Sequence, residues 1–197
     1  MSVKNTILMF CLLPVLFSCA SLQTYSSCDV HIDTEMPILH PAAFNVNLIS
    51  NQQVTITTQD HAFTFLAQLE INKEKLILVA LTPIGQKLFQ IQYRKQELKF
   101  ERFGIPDTFE PAFLLTDVSL IFSDLNVLND CYRQTNLSRP TITEIKRERT
   151  IEYPEHAGQN NITVSYSTND RWMSDVVFIN PVRQYKIEIT SLGTEHL

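Results

Sequence analysis

The side chains that could do chemistry in this chain are its histidines, cysteines and carboxylates, and their spacing supports little of it. His31, Asp33 and Glu35 alternate in "CDVHIDTE" and put three ligand types within reach of one another. A cation site needs its ligands held at fixed geometry, whereas this stretch is polar and has neither a helical nor a strand period, so a solvated linker is expected. His40, His61, His156 and His196 stand apart, each in or beside a turn or terminus where exposure satisfies the ring. The sequence has no Gly-x-Ser-x-Gly elbow, no glycine-rich phosphate loop and no His-Glu-x-x-His pair. The expectation is a protein that is not an enzyme and needs no metal or cofactor. A net charge of −5 without a Lys/Arg-dense face argues against nucleic acid as partner. The basic run "IKRERTIEY" is interleaved with Glu144, Glu148 and Glu152 and reads as one solvated strand face.

The cysteines divide by position. Lys4, the apolar run "TILMFCLLPVLF" and the small residues from Ser18 to Ser21 form an export signal, and Cys11 lies inside it. Pro14 and Ser18 cut the run below the ~20 apolar residues of a spanning helix. The end of that signal, "LFSC", resembles a bacterial lipoprotein cleavage box with Cys19 as the lipidated N-terminus, although Phe17 is larger than the residue usual there. The alternative is an ordinary secretory signal. Ala20 is not the aspartate that resembles an inner-membrane retention signal, which points to the outer membrane, facing the periplasm. Several acyl chains on Cys19 would make a stable anchor. The expected organisation is residues 1–18 as signal peptide, 19–37 as lipidated tether and 38–197 as one domain. Cys28 and Cys131 remain; in an oxidising compartment they either pair, closing a loop worth about 4–5 kcal/mol in the chain-entropy model, or stay as unrelated thiols.

The domain opens with five strand signals in a row, "QQVTITTQ", "HAFTFLAQLEIN", "KLILVALT", "KLFQIQYR" and "QELKFERF", which imply an antiparallel meander. Period-2 alternation puts Phe63, Phe65, Ala67, Leu69 and Ile71 on one dry face, and likewise Phe89, Ile91 and Tyr93, then Leu98 and Phe100. In "DTFEPAFLLTDVSLIFSDLNVLNDCY" the period changes to that of a helix. Pro111 suits its first position, with Phe113, Leu114, Val118, Ile121, Phe122 and Leu125 on one face and Thr116, Asp117, Ser123 and Asp124 opposite. Strands return in "TITEIKRERTIEYP", "NITVSYST", "SDVVFIN" and "QYKIEITSL". The economical packing is mainly β: an incomplete, half-open antiparallel barrel with helices as a lid, and a closed eight-stranded barrel as competitor. The faces place an apolar cavity against Phe63, Phe65, Leu69, Phe89, Ile91, Tyr93 and Phe100, with Phe113 and Phe122 from the lid. A one-residue bulge would invert a strand's share.

One turn breaks the ordinary chemistry of turns. Between the strands of "LILVALTPIGQKLFQIQY" stands Pro83-Ile84-Gly85, with isoleucine where a polar residue is expected. The segment resembles the strand–Pro-Leu-Gly–strand of LolB, and the order signal, tether, meander, helix, meander is similar to LolA and LolB over most of the mature chain. Together with "FEPAFLLTDVSLIF" it looks still more like the LolB-like lipoproteins encoded in aryl polyene biosynthesis clusters. The resemblance implies an outer-membrane lipoprotein, monomeric, that binds and transfers an acyl or aryl-polyene lipid, or the acyl chains of lipoproteins, with a periplasmic LolA-like carrier as partner. It also implies that Ile84 touches the membrane; folding back under the lid as ordinary core is the structural alternative. The competing function is an adaptor lipoprotein of an envelope assembly with a filled core and no ligand.

Overall fold

The computed structural model describes residues 28–31, 36–105, 109–134, 139–156, 158 and 160–197. The export signal and Cys19 lie outside them, as do Asp33 and Glu35. The first meander comprises β3 (Leu48–Thr57), β4 (Ala62–Ile71), β5 (Lys75–Leu81), β6 (Lys87–Arg94) and β7 (Glu97–Arg102). The second comprises β8 (Thr141–Ile145), β9 (Glu148–Glu152), β10 (Ile162–Tyr166), β11 (Val176–Asn180) and β12 (Tyr185–His196). Chain-end strand β12 pairs with β3, which fuses the two meanders into one ten-stranded antiparallel sheet ordered β7-β6-β5-β4-β3-β12-β11-β10-β9-β8. The two edges, β7 and β8, do not pair with each other, so the barrel is incomplete, as the sequence implies.

Between the meanders lie α1 (Pro111–Phe122) and α2 (Leu125–Gln134). One continuous helix is expected here from the spacing. It breaks because Ser123 turns the backbone to an extended ψ of 160°. Proline stands at the first position of α1, and the Glu110 side chain accepts a hydrogen bond from the Ala112 backbone, capping the start.

The amphipathic reading of this helix needs correction. Thr116, Asp117 and Ser123, expected on a solvated side, are buried together with Ser119, and only Asp124 is exposed. Hydroxyls make that burial possible: Thr116 Oγ1 donates to the Ala112 carbonyl at 3.1 Å and Ser119 Oγ to that of Leu115 at 2.8 Å. The covering layer is a hairpin of β1 (Cys28–His31) and β2 (Met36–Leu39), in the stretch assigned to the tether. The Leu39 backbone N–H donates to Ser119 Oγ at 3.3 Å, and a Cys28–Cys131 disulfide, with its Cα atoms 5.3 Å apart, ties this hairpin to α2. Helix α1 is therefore covered by sheet on one side and by hairpin on the other.

The carboxyl end of α1 has no basic residue of its own in its last turn. Its unpaired carbonyls are satisfied from the sheet instead. Arg149 on β9, fully buried, donates to the carbonyls of Leu120 (2.5 Å) and Ser123 (2.7 Å), and Tyr166 Oη donates to that of Ile121 at 2.6 Å. Glu144 accepts from Arg149 Nη2 at 2.7 Å and from Arg171 at 2.8 Å, while Arg171 also reaches Asp124 at 2.6 Å. Burial would raise the Glu144 carboxyl, but the bonds from Arg171 and Arg149 outweigh it and hold it below the usual range. The solvated strand face expected of "IKRERTIEY" is thus a hairpin turning at Lys146, and its central arginine is a helix cap. His40 also departs from the exposed state expected of it. It is buried, and its Nδ1 accepts the Ala42 N–H at the start of a short 3-10 turn.

Candidate functional site: the open end of the half-barrel

Strand register brings four chain segments to one end of the sheet. Ala62 opposes Thr57, Thr57 opposes Lys186, Leu66 opposes Leu81, and Phe89 opposes Arg102. The start of β4, the β5–β6 turn, the end of β7 and the β11–β12 turn therefore lie at the same end of the sheet. Each carries an exposed apolar side chain: Phe63 (42 %), Ile84 (81 %), Phe103 (58 %) and Val182 (43 %). Four exposed apolar groups along one rim are a different observation from a scattered exposed leucine.

Ile84 stands furthest out. The Gly85 N–H donates to the Thr82 carbonyl at 2.9 Å and the Thr82 N–H to the Gln86 carbonyl at 2.8 Å, closing a tight turn. Gly85 holds φ +85°, the left-handed step that completes a three-residue hairpin loop. Proline fixes one side of Ile84 and glycine the other, so the turn is built by its own backbone. Beside it, Lys87 Nζ lies 5.1 Å from the centre of the Phe103 ring.

Inward from the rim runs a ladder of rings: Phe63 to Phe65 at 5.5 Å, Phe65 to Phe89 at 5.7 Å, Phe89 to Phe100 at 6.2 Å and Phe89 to Phe109 at 4.9 Å. Phe65 and Phe89 meet across β5 because Ala80, opposite Phe89, offers only a methyl group. Of the residues assigned to a cavity wall, Phe65, Leu69, Phe89, Ile91, Tyr93 and Phe122 are buried, Phe100 and Phe113 are half-buried, and Phe63 is at the rim. Phe65, Leu69 and Phe122 border one interior cavity of about 20 Å³ beneath α1; the other assigned residues do not. Phe122 stacks on Trp172 at 4.6 Å toward the far end, and Phe113 lies under the Arg183 guanidinium at 3.7 Å. Phe109 escaped the sequence reading because it stands outside every strand and helix period.

The same end holds a buried polar cluster that the helical pattern gave no reason to expect. Asp117 lies in the second turn of α1, and its Oδ2 accepts the Tyr185 hydroxyl at 2.5 Å, while its other oxygen has no hydrogen bond among the described residues. Burial pushes the Asp117 carboxyl up to about 7, against the lowering effects of the Tyr185 bond and of Arg183. Burial also raises the Tyr185 hydroxyl, and the neighbouring Asp117 adds to it. Nearby, the Tyr132 and Tyr153 hydroxyls lie 2.9 Å apart and are both raised, chiefly by burial. Arg183 acts on all four groups.

Fold and site together define an incomplete antiparallel barrel with a helical lid and an apolar rim. The chain belongs to the family described as a protein of unknown function, DUF3261, which it matches over residues 50–193. No curated protein matches it. Among solved structures it is similar to a domain from Vibrio parahaemolyticus that is assigned by its description to an outer-membrane lipoprotein-sorting protein. The identity is 10 %, with 77 % of this chain and 85 % of that one covered and a TM-score of 0.34.

Proposed function

We propose that this protein is a non-catalytic carrier of the bacterial envelope, which takes an acyl chain between α1 and the concave face of the sheet and passes it on through the apolar rim. The observation that carries the reading is Ile84, 81 % exposed at the tip of a hairpin whose shape does not depend on it. An isoleucine without a packing role in its own fold, next to Phe103 and Phe63 and flanked by Lys87, has the chemistry of a contact with an acyl region beneath anionic headgroups. On this reading Cys19 carries the outer-membrane anchor. The sequence resemblance adds the cargo class, an aryl-polyene lipid or the acyl chains of a lipoprotein, and a LolA-like donor.

The adaptor reading has one observation in its favour: α1 fills the concave face and leaves about 20 Å³ beneath it. Carriage then requires α1 to withdraw. Native mass spectrometry of gently purified protein, with displacement of an apolar fluorescent probe, separates the two. A carrier retains or binds acyl lipid; a protein that does neither is the adaptor. Ile84→Glu tests the rim, with the expected outcome that lipid delivery to vesicles is lost while the melting temperature is kept. A variant that unfolds, or that delivers as well as the parent, removes Ile84 from the proposal. Cys19→Ser is expected to leave the protein unprocessed or soluble; normal processing and fractionation with the outer membrane would show that the anchor lies elsewhere.

A further inference from the structure

The interior cavity has one feature that an acyl chain alone does not explain. Its wall is apolar around Val54, Phe65, Leu69 and Leu114, yet Asp117 and the Gln52 side chain are set into it. Asp117 is 3 % exposed, and its Oδ1 is buried without a hydrogen-bond partner among the described residues. Tyr185 on β12 engages the other oxygen, Arg183 faces the group from the β11–β12 turn, and Tyr153 lies beyond β9 within electrostatic range. A plain hydrocarbon seated here would leave Oδ1 unpaired in a dry wall, and a second carboxylate would be repelled by it.

Resting on the carrier reading above, we propose that Asp117 recognises a hydroxyl group on the bound chain, so that the interior site takes hydroxylated acyl chains in preference to plain ones. A hydroxyl both donates and accepts, so it pairs with Asp117 Oδ1 whether the acid is ionised or protonated. That matters because burial places the titration of this group at about 7, where both forms are populated. The cavity has room for roughly one water. A hydroxyl oxygen is the part of a ligand that replaces such a water without losing its hydrogen bond.

The test is competition against an apolar fluorescent probe on the full chain, comparing palmitic acid with 16-carbon acids hydroxylated at carbon 2, 3 or 16. At least one hydroxylated isomer is expected to bind about tenfold tighter than palmitic acid at both pH 6 and pH 8, the scale of one hydrogen bond to a charged group. Asp117→Leu should abolish that preference, bringing the ratio of hydroxylated to plain acid close to one because a plain chain no longer leaves a carboxyl oxygen unpaired, and Asp117→Asn, which still pairs with a hydroxyl, should keep part of it. In the unaltered protein, the ¹³C resonance of the Asp117 carboxyl should move with the preferred isomer and not with palmitic acid, a readout that stands if the leucine variant does not fold. Equal affinities for all four acids, or a preference that survives Asp117→Leu, overturn the hydroxyl proposal and leave the carrier intact. If none of the acids binds the parent, the carrier reading fails and this one with it.

Discussion

The two ends of α1 are built on opposite terms. At its carboxyl end the carbonyls of Leu120, Ile121 and Ser123 are each taken up, by Arg149 or Tyr166, and Arg149 is locked in turn by Glu144 and Arg171. Midway along it the buried Asp117 keeps one oxygen without a hydrogen bond among the described residues, and the rim toward its amino end exposes Phe63, Ile84 and Phe103. Where polar groups are all satisfied, separating the helix from the sheet means breaking several charge-assisted bonds at once; where they are not, separation loses less and lets water in to Asp117. On the carrier reading proposed above, a helix that pivots at Ser123 breaks fewer such bonds than one that pivots at Pro111. The disulfide ties α2 to the β1–β2 hairpin, and the Leu39 N–H of that hairpin in turn holds Ser119 near the carboxyl end of α1.

The largest effect expected is loss of that anchor. With a sequence separation of 103 residues, replacing Cys28 and Cys131 by serine should lower stability by about 4–5 kcal/mol, read as a shift of the denaturation midpoint that reductant reproduces in the parent. An unchanged midpoint would mean that the hairpin is held by packing alone. Next comes the fixed end. Arg149→Met should cost about 3–5 kcal/mol, because it strips the α1 carbonyls and leaves Glu144 with Arg171 only. A loss below about 1 kcal/mol, the scale of a surface pair, would erase the contrast between the two ends.

Asp117 answers to pH with a defined sign. Asp117 has a folded value of about 7 against 3.8 in the free acid, so its favourable contribution is complete below pH 4 and is lost as pH rises to 7. Asp117→Asn removes that loss, and relative to the parent it should gain roughly 4 kcal/mol between pH 4 and pH 8. Glu144 works the other way. Its lowered carboxyl stabilises at neutral pH, and that contribution falls away as pH drops through the acid range. Denaturation midpoints of Asp117→Asn and the parent that run parallel from pH 4 to pH 8 would show that Asp117 is not the group in question.

Much of this architecture is legible in the sequence, because strict period 2 in "AFTFLAQLEI" and "KLFQIQYR" fixes which faces turn inward whatever the strands pair with. The antiparallel meanders and the helical segment between them follow from those periods; whether the barrel closes does not, because period 2 fixes faces and not which edge strands pair. What misleads is burial of polar groups: Thr116, Asp117 and Ser123 read as a solvated face, yet Asp117 meets Tyr185 of the sheet, Ser123 meets Arg149, and a hairpin in a polar stretch without period lies over Ser119. Arg149 is invisible for the same reason. A charged residue in a charged run looks exposed until the helix end it caps is known. Ile84 was readable because glycine and proline define the turn locally, and no distant residue intervenes.

The smallest effects separate backbone from side chain at the rim itself. Gly85 has open space where a Cβ would go, but its φ of +85° is one that side chains rarely adopt, so Gly85→Ala should cost about 1 kcal/mol by strain alone. Ile84→Glu should change stability by less than about 0.5 kcal/mol, since the side chain it removes packs against little of its own fold. The order of the two is the informative part. If the turn is a rigid holder for a residue that works outside the protein, glycine matters to the fold and isoleucine to delivery, and vesicle transfer assays on the two variants should show the reverse ranking of the melting curves. A melting loss for Ile84→Glu larger than that for Gly85→Ala would mean that the isoleucine packs after all, and the two ends of the lid would then differ in their polar groups but not in their readiness to meet a membrane.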